Sequence, residues 1–225
     1  MIPEVSIIIP VRNGSNYLQD ALDHIRRQNV SVEIIVIDDA STDNTANIAK
    51  ENGCIVISNE TCQGQVVGKN KGIHIAKGEY IMFHDHDDMM TDGALANLIS
   101  AMDNDTTAVM AKVEDFYSPE MTEQQRKESQ IKSEPYYGLF TGAIITHRSA
   151  FDTIGDFSEN ISAGEIMEWE QRMNQHGLKI KKIDIVACKR RIHTSNFGKT
   201  NKQKEFKDYA AILRARILAS KTAKN

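Results

Sequence analysis

The run VSIIIPV, residues 5–11, is rich in β-branched residues, apolar on both faces of any strand it forms, and closed by a proline. A strand without a polar face must be covered on both sides, the situation of a central strand in a parallel sheet. Tyr17, Leu18, Ala21, Leu22 and Ile25 then recur at helical spacing. The alternation repeats: VEIIVIDD (32–39) reads as a strand, STDNTANIAKE (41–51) as cap residues and a short helix, CIVIS (54–58) as a strand, 62–77 as a glycine-bearing loop and helix, and EYIMF (79–83) as a strand. Strand alternating with helix predicts an α/β fold with a parallel sheet covered on both faces.

Further along, Thr91 is expected to cap a helix bearing Leu95, Leu98, Ile99 and Met102. Strands are expected at 107–113, 139–146 and 179–187, a helix at 164–176, and a charged helical tail over 201–220. Residues 117–135 are polar and read as a long loop or an exposed helix.

Acidic residues cluster where strands end. Asp38 and Asp39 close the second strand; Asp85, Asp87 and Asp88 follow the fourth in YIMFHDHDDMM. Ligands of open parallel sheets bind beyond the carboxyl ends of the strands. Three carboxylates so close repel one another and resist losing water, which calls for a cation, and hard oxygen donors select Mg2+ or Mn2+. His84 and His86 raise two other readings, a zinc site and a hydrolase built on histidines and aspartates. The second needs further histidines arranged on helices, which the strand context does not supply; His86 is expected to point away from the site.

Several of these segments together resemble one family. VSIIIPVRNGSNYLQDALDHIRRQ, EIIVIDDASTDNT, NKGIHIAKGEYIMFHDHDD, GAIITHRSAFDTIGDF and GEIMEWEQRMNQHG follow, in order, the motifs of family 2 glycosyltransferases of the GT-A fold, over Val5 to about Asn196. The resemblance implies a Rossmann-like, mixed but mostly parallel central sheet flanked by helices, in one domain over residues 1–197 with a helical tail over 198–225. It implies transfer of a sugar from a nucleotide-diphosphate sugar, expected to be a UDP-sugar, with inversion at the anomeric carbon.

It also implies roles for residues. Pro10, Arg12 and Asn13 occupy the loop that holds the nucleoside, with Asp38 toward the base and Asp39 toward the sugar-phosphate side. Carboxylates suit these places because they are acceptor-only groups facing donor-rich edges. For Ser41 and Asp43, turn and helix capping weighs equally. Lys69 stands where the family often has an arginine near the diphosphate, and is either a phosphate contact or a solvated lysine. Asp87 is the first choice as metal ligand, Asp88 a ligand or its neighbour, and Asp85 faces the ribose or a metal-bound water. His193 in RRIHTSN is expected to complete the shell of Mn2+ or Mg2+, with Arg190 or Arg191 toward phosphate and Asn196 steadying the loop. Gly142 is either a point of close backbone approach for sugar or acceptor, or simple packing.

Inverting transfer needs a base for the acceptor's proton. The family places it in an acid pair opening a helix after a glycine, and here GEIMEWE puts Ile166 where the second acid belongs. Glu165 or Glu168, three apart and able to share a helix face, must then serve. Trp169 packs beside the acceptor or in the core, and Glu170 with Arg172 is expected to form a surface pair.

Other classes remain in view. A nucleotidyltransferase would need a glycine-rich, basic loop after the first strand, and PVRNGSNY is a weak one. A nucleotide-sugar-binding module without catalysis is compatible with Ile166. A net charge of -4 gives no general affinity for nucleic acid. Three cysteines without metal-site spacing fit a reducing compartment. The opening residues lack a signal-peptide pattern, so the expected location is cytoplasmic, with peripheral association at the inner membrane face compatible with a lipid-linked acceptor. The expected partners are the donor and a glycan, lipid-linked or protein acceptor, with a homodimer through the tail as a further option.

Overall fold

The computed structural model describes residues 2–103, 105–196 and 202–222, with side chains over 206–216 of the last segment. Strand β1 (Val5–Val11) is buried along its whole length, and its two faces feed two cores. Ile7 and Ile9 join Leu18, Leu22 and Ile25 of α1 (Leu18–Arg26) and Leu95 and Leu98 of α4 (Ala94–Ser100). Ile8 joins the opposite cluster, with Val66 and Ile73 of α3 (Gln65–Ile75) and Trp169 and Met173 of α7 (Glu165–Gln175). This period-two partition is why the run has no polar face.

On one side of β1 lie β2 (Val32–Asp38) and then β3 (Ile55–Ser58), both parallel to it; on the other lies β4 (Tyr80–Phe83), also parallel. The sheet continues through β7 (Ile144–His147), antiparallel to β4 and to β6 (Ala108–Tyr117). β8 (Ile180–Ile192) runs parallel to β6, and the two-residue β5 (Met89–Met90) pairs antiparallel at its far edge. The order is β3-β2-β1-β4-β7-β6-β8-β5. Only β5 and β7 run against the rest, so β1, β2, β4, β6 and β8 all end on one edge. The mixed, mostly parallel sheet flanked by helices agrees with the sequence.

Two glycines bring α3 onto the sheet. A Cβ on Gly72 would stand 2.3 Å from Ile8 Cγ2, and one on Gly68 3.1 Å from Pro10 Cβ. This approach drives Lys69 and Asn70 into the interior, so Lys69 is not the solvated lysine that the sequence allowed.

Several local expectations are corrected. Thr91 does not cap α4: its hydroxyl donates to the Val186 carbonyl at 2.6 Å, and the helix starts after Gly93, at φ +73. Met102 lies past its end. The stretch 117–135 is neither one loop nor one helix. It holds α5 (Glu123–Lys127), opened by a capping box between Thr122 and Gln125. Residues 141–143 form a 3-10 turn before β7, and α6 (Ser149–Ile154) follows it.

The expected tail helix is α8 (Lys202–Thr222); the domain boundary expected at 197/198 lies outside the described residues. Asp208 of α8 accepts from Ser162 N at 2.8 Å, Ser162 Oγ at 2.7 Å and Ala163 N at 3.2 Å, just before α7. Arg216 pairs with Glu170 at 2.9 Å. No helix among the described residues is long and apolar enough to cross a membrane.

Candidate functional site

The loops after β1 and β2 are clasped together. Asn13 N donates to Ser41 Oγ and Gly14 N to Thr45 Oγ1, each at 2.8 Å, and Ser15 N to Asp43 Oδ2 at 3.1 Å. In return Asn13 Oδ1 accepts from Thr42 N at 2.8 Å. Asn13 and Ala40 hold positive φ, 53° and 57°, so local strain is concentrated in these two loops. Asp43 also accepts from Thr45 N at 3.0 Å, serving both the clasp and the entry to α2 (Thr45–Glu51). Burial works against its ionisation, but bonds from Thr45 and Ser15 prevail and hold its pKa at about 2. Pro10 is buried under Gly68. Arg12 is exposed and forms no ion pair among the described residues.

Asp38 and Asp39, both buried, differ in how fully they are used. Asp39 accepts from Asn59 Nδ2 at 2.9 Å, Gln63 N at 2.7 Å, Gly64 N at 2.8 Å and Cys62 Sγ at 3.1 Å. Burial alone would raise its pKa, yet these donors lower it. Asp39 thus ties down the loop leading into α3. Asp38 accepts through Oδ1 from Ser41 N at 3.1 Å, which leaves acceptor capacity on its carboxylate.

Asp85, Asp87 and Asp88 each place a carboxylate oxygen within 4.8 Å of the others. Burial, with repulsion from Asp87, raises the pKa of Asp85 against the pull of Lys69. Burial, Asp87 and Asp85 together push Asp88 well above the ordinary range. Asp87 moves the other way: its burial is outweighed by the hydrogen bond from His193, and its pKa falls. Converging hard oxygen donors whose mutual repulsion is only partly offset are a set that fits a divalent cation. His84 is fully buried, with Nε2 3.3 Å from the Asp88 carbonyl and Nδ1 unpartnered. Burial lowers its pKa to about 4, keeping the imidazole neutral at pH 7. A Cβ on Gly14 would stand 2.5 Å from the His86 ring, so His86 packs on the β1 loop.

The late segment reaches the same place. His193 Nε2 lies 2.8 Å from Asp87 Oδ2, and Nδ1 lies 2.9 Å from Ser195 Oγ. Asn196 accepts from His193 N at 2.7 Å and donates to the Arg191 carbonyl at 3.1 Å. Arg191 is buried and already engaged. Its N donates to Asp88 Oδ1 at 2.9 Å, its Nε to the Asp87 carbonyl at 2.8 Å, and its guanidinium pairs with Asp20. Tyr17 stacks near both, 4.9 Å from the His193 ring and 5.1 Å from the Arg191 guanidinium. The sequence marks neither Tyr17 nor Asp20 as a site residue. They read as ordinary α1 positions, and their partners lie over 170 residues away.

On the α3 side, Lys69 and Glu165 form a buried ion pair. Glu168 instead makes a bidentate pair with Arg172, both contacts 2.9 Å, and the same guanidinium donates to the carbonyls of Ile154 and Asp156 at 2.6 Å. The expected Glu170–Arg172 pair does not form. Residues two apart face different sides of a helix, whereas Glu168 and Arg172 at i,i+4 meet. Ile166 is buried in the apolar cluster that holds Trp169. Trp169 is core: it stacks on Phe151 at 4.8 Å and donates its indole N–H to the Gly155 carbonyl at 2.9 Å. Gly142 lies against the core side of the site, where a Cβ would be 3.2 Å from Cys188 Sγ and 3.3 Å from His84 Nδ1.

A mixed, mostly parallel sheet of this order, flanked by helices and with acidic loops on its carboxyl edge, is the GT-A fold. Consistent with this, the chain resembles solved structures of TarS from S. aureus in complex with UDP (TM-score 0.67, 20% identity, 85% of this chain and 61% of that one) and of the mannosyltransferase PcManGT from Pyrobaculum calidifontis in complex with GDP-Man and Mn2+ (TM-score 0.71, 17% identity, 95% and 65%). The model of Glycosyl transferase family 2 matches residues 6–159, and the chain belongs to that family. Among curated relatives, glycosyltransferase GlyG of Streptococcus pneumoniae is 36% identical over 100 residues, 42% of this chain and 33% of GlyG. The chain thus spans about a third of the length of that relative. The Escherichia coli UDP-Glc:alpha-D-GlcNAc-diphosphoundecaprenol beta-1,3-glucosyltransferase WfaP is 27% identical over 94% of this chain and 86% of its own.

Proposed function

We propose that the chain transfers a sugar from a UDP-sugar to a glycoconjugate acceptor, with inversion and with a divalent metal ion. The observation that carries this reading is the meeting of Asp85, Asp87 and Asp88 within 4.8 Å, with His193 on Asp87, at the edge shared with Asp38. UDP in a TarS structure and the UDP donor in the name of WfaP support the choice of nucleotide. WfaP, matched over most of both chains, also supports a lipid-linked glycan as acceptor.

Asp38 accepts from the uracil N–H. Pro10, Arg12 and Asn13 border the nucleoside, and Asp39 holds the loop that shapes the far wall. Asp87 and Asp88, with His193 beside them, hold Mn2+ or Mg2+, and Asp85 faces the ribose side. The ion supplies positive charge against the departing diphosphate. Lys69 and Arg191 add cationic charge behind the phosphates, and Gly142 keeps the wall at His84 thin. Glu165 takes the acceptor's proton; Glu168, locked by Arg172, orients the first turn of α7. At the N-terminal end of that helix the dipole favours both carboxylates as anions.

The test is UDP release from UDP-glucose and UDP-N-acetylglucosamine in Mn2+, with added glycan acceptors. Glu165→Gln should lower kcat by about 100-fold or more, the scale of general base catalysis. Full activity of Glu165→Gln would remove it as the base.

A further inference from the structure

A cavity of about 440 Å3 opens between the ends of β6 and β8 and the segment 130–140. Its volume falls within the range of small-molecule sites. Its walls are Tyr136, Tyr137 and Phe140, with Asp115, Lys132 and Arg190. We infer that this cavity binds the acceptor, and that the acceptor is a pyranose carrying an anionic group. The inference rests on the glycosyl-transfer reading above.

The aromatic wall is built rather than incidental. Tyr136 exchanges two backbone hydrogen bonds with Val113 of β6, at 2.9 and 3.0 Å, and its phenol donates to Asp115 Oδ1 at 2.8 Å. Phe140 meets Tyr136 edge to face at 5.9 Å. A Cβ on Gly138 would fall 2.5 Å from the Phe140 ring, so only glycine lets that ring fold back over the wall. The Tyr137 phenol donates to the Ile183 carbonyl at 3.1 Å. Fixed rings of this kind take the C–H face of a pyranose at little cost in side-chain freedom.

The charges around the wall are unevenly matched. The Lys132 ammonium lies 3.5 Å from the centroid of Tyr136, and that of Lys182 lies 5.4 Å from the centroid of Tyr137. Neither has a carboxylate partner among the described residues. Arg190 stacks 4.8 Å from the Phe140 centroid, and Asp115 stands 3.9 Å from its guanidinium, at the limit of an ion pair. In a chain of net charge -4, this is a local cationic excess on an aromatic floor. A neutral sugar needs only the rings; Lys132 and Arg190 in the lining, with Lys182 next to Tyr137, favour a phosphate or a carboxylate on the sugar. Arg190 directly precedes Arg191 in β8, whose N donates to Asp88 Oδ1 at 2.9 Å, which joins the cavity to the acid edge.

The test is a titration of the 15N-labelled chain, followed by amide shifts at Gly138 and Arg190. The probes are methyl glucoside, glucose 1-phosphate, glucuronate and inorganic phosphate, with UDP and Mg2+ present to block the donor edge. An anionic sugar should bind about tenfold more tightly than methyl glucoside and than phosphate, the scale of two partly exposed charge contacts. Tighter binding of glucose 1-phosphate points to a phosphate-bearing acceptor, and of glucuronate to a carboxylate-bearing one. A Lys132→Ala/Lys182→Ala variant that keeps the spectrum of the folded chain should lose the preference. Equal affinity for neutral and anionic sugars, phosphate binding as well as glucose 1-phosphate, or shifts confined to residues 85–88 would overturn the inference. Repeating the titrations without UDP and metal reads the cavity alone, so failure of UDP to bind would count against the donor reading only.

Discussion

Lys69 and Glu165 are paired through side chains that are 3% and 6% exposed, although 96 residues separate them in sequence. The pair joins α3, which packs on β1 and β2, to the first turn of α7. It therefore couples a cation suited to phosphate to the carboxylate assigned as the base.

Breaking this pair on one side should be costly, because the partner is left charged in the interior. Lys69→Met alone and Glu165→Leu alone should each lower unfolding free energy by about 3 kcal/mol or more. Lys69→Met combined with Glu165→Leu should recover most of that loss. Urea unfolding of the three variants measures the coupling, and additive losses would show that the pair is not an energetic unit.

The packing of α3 on β1 depends on hydrogen atoms where other residues carry carbons. Gly72→Ala forces a methyl into a space 2.3 Å from Ile8 Cγ2, and overpacking of this kind costs about 1–3 kcal/mol. The better helix propensity of alanine works in the opposite direction by about 1 kcal/mol. A net fall in Tm is expected in thermal unfolding, whereas an unchanged Tm would mean that α3 shifts freely.

How much of this was legible in the sequence depends on range. The strands β1, β2 and β4 and the acids that follow them could be read because an apolar run and its terminating residues are local. The pairing of His193 with Asp87 across 106 residues was reached only through family resemblance. Asp20 on Arg191, separated by 171 residues, left no local trace. The sequence identified Glu168 as a candidate base but did not show that Arg172 holds both its oxygens. That contact follows from i,i+4 geometry, which favours it over the expected Glu170 pair. The sequence leaves Trp169 between two roles because an indole on an amphipathic helix looks the same facing a ligand or a core.

The clasp between the first two loops sets an acid limit on stability. The Asp43 pKa is depressed to about 2 in the folded chain, against about 3.9 for a free aspartate. Its contribution is therefore complete above roughly pH 4 and is lost as pH falls through about 2. The stability difference between the native chain and Asp43→Asn, from urea midpoints, should be constant from pH 7 to about 5 and shrink toward zero near pH 2. A difference that grows as pH falls would contradict the assignment.

The tail helix should matter to the site through Asp208. Its carboxylate accepts three hydrogen bonds from Ser162 and Ala163, next to the start of α7. Asp208→Asn should cost about 1–2 kcal/mol, as expected for weakening charge-assisted bonds, and hydrogen exchange at residues 162–165 should quicken. Unchanged exchange there would show that α8 does not steady the helix bearing Glu165.

The central claim is that the acid cluster joins nucleotide binding to a divalent ion. Calorimetric titration of UDP with Mn2+, and again with EDTA, tests it most directly. Binding that requires Mn2+ in the native chain and is lost in Asp87→Asn is the predicted result. UDP binding of equal strength in EDTA, or unaffected by Asp87→Asn, would contradict it.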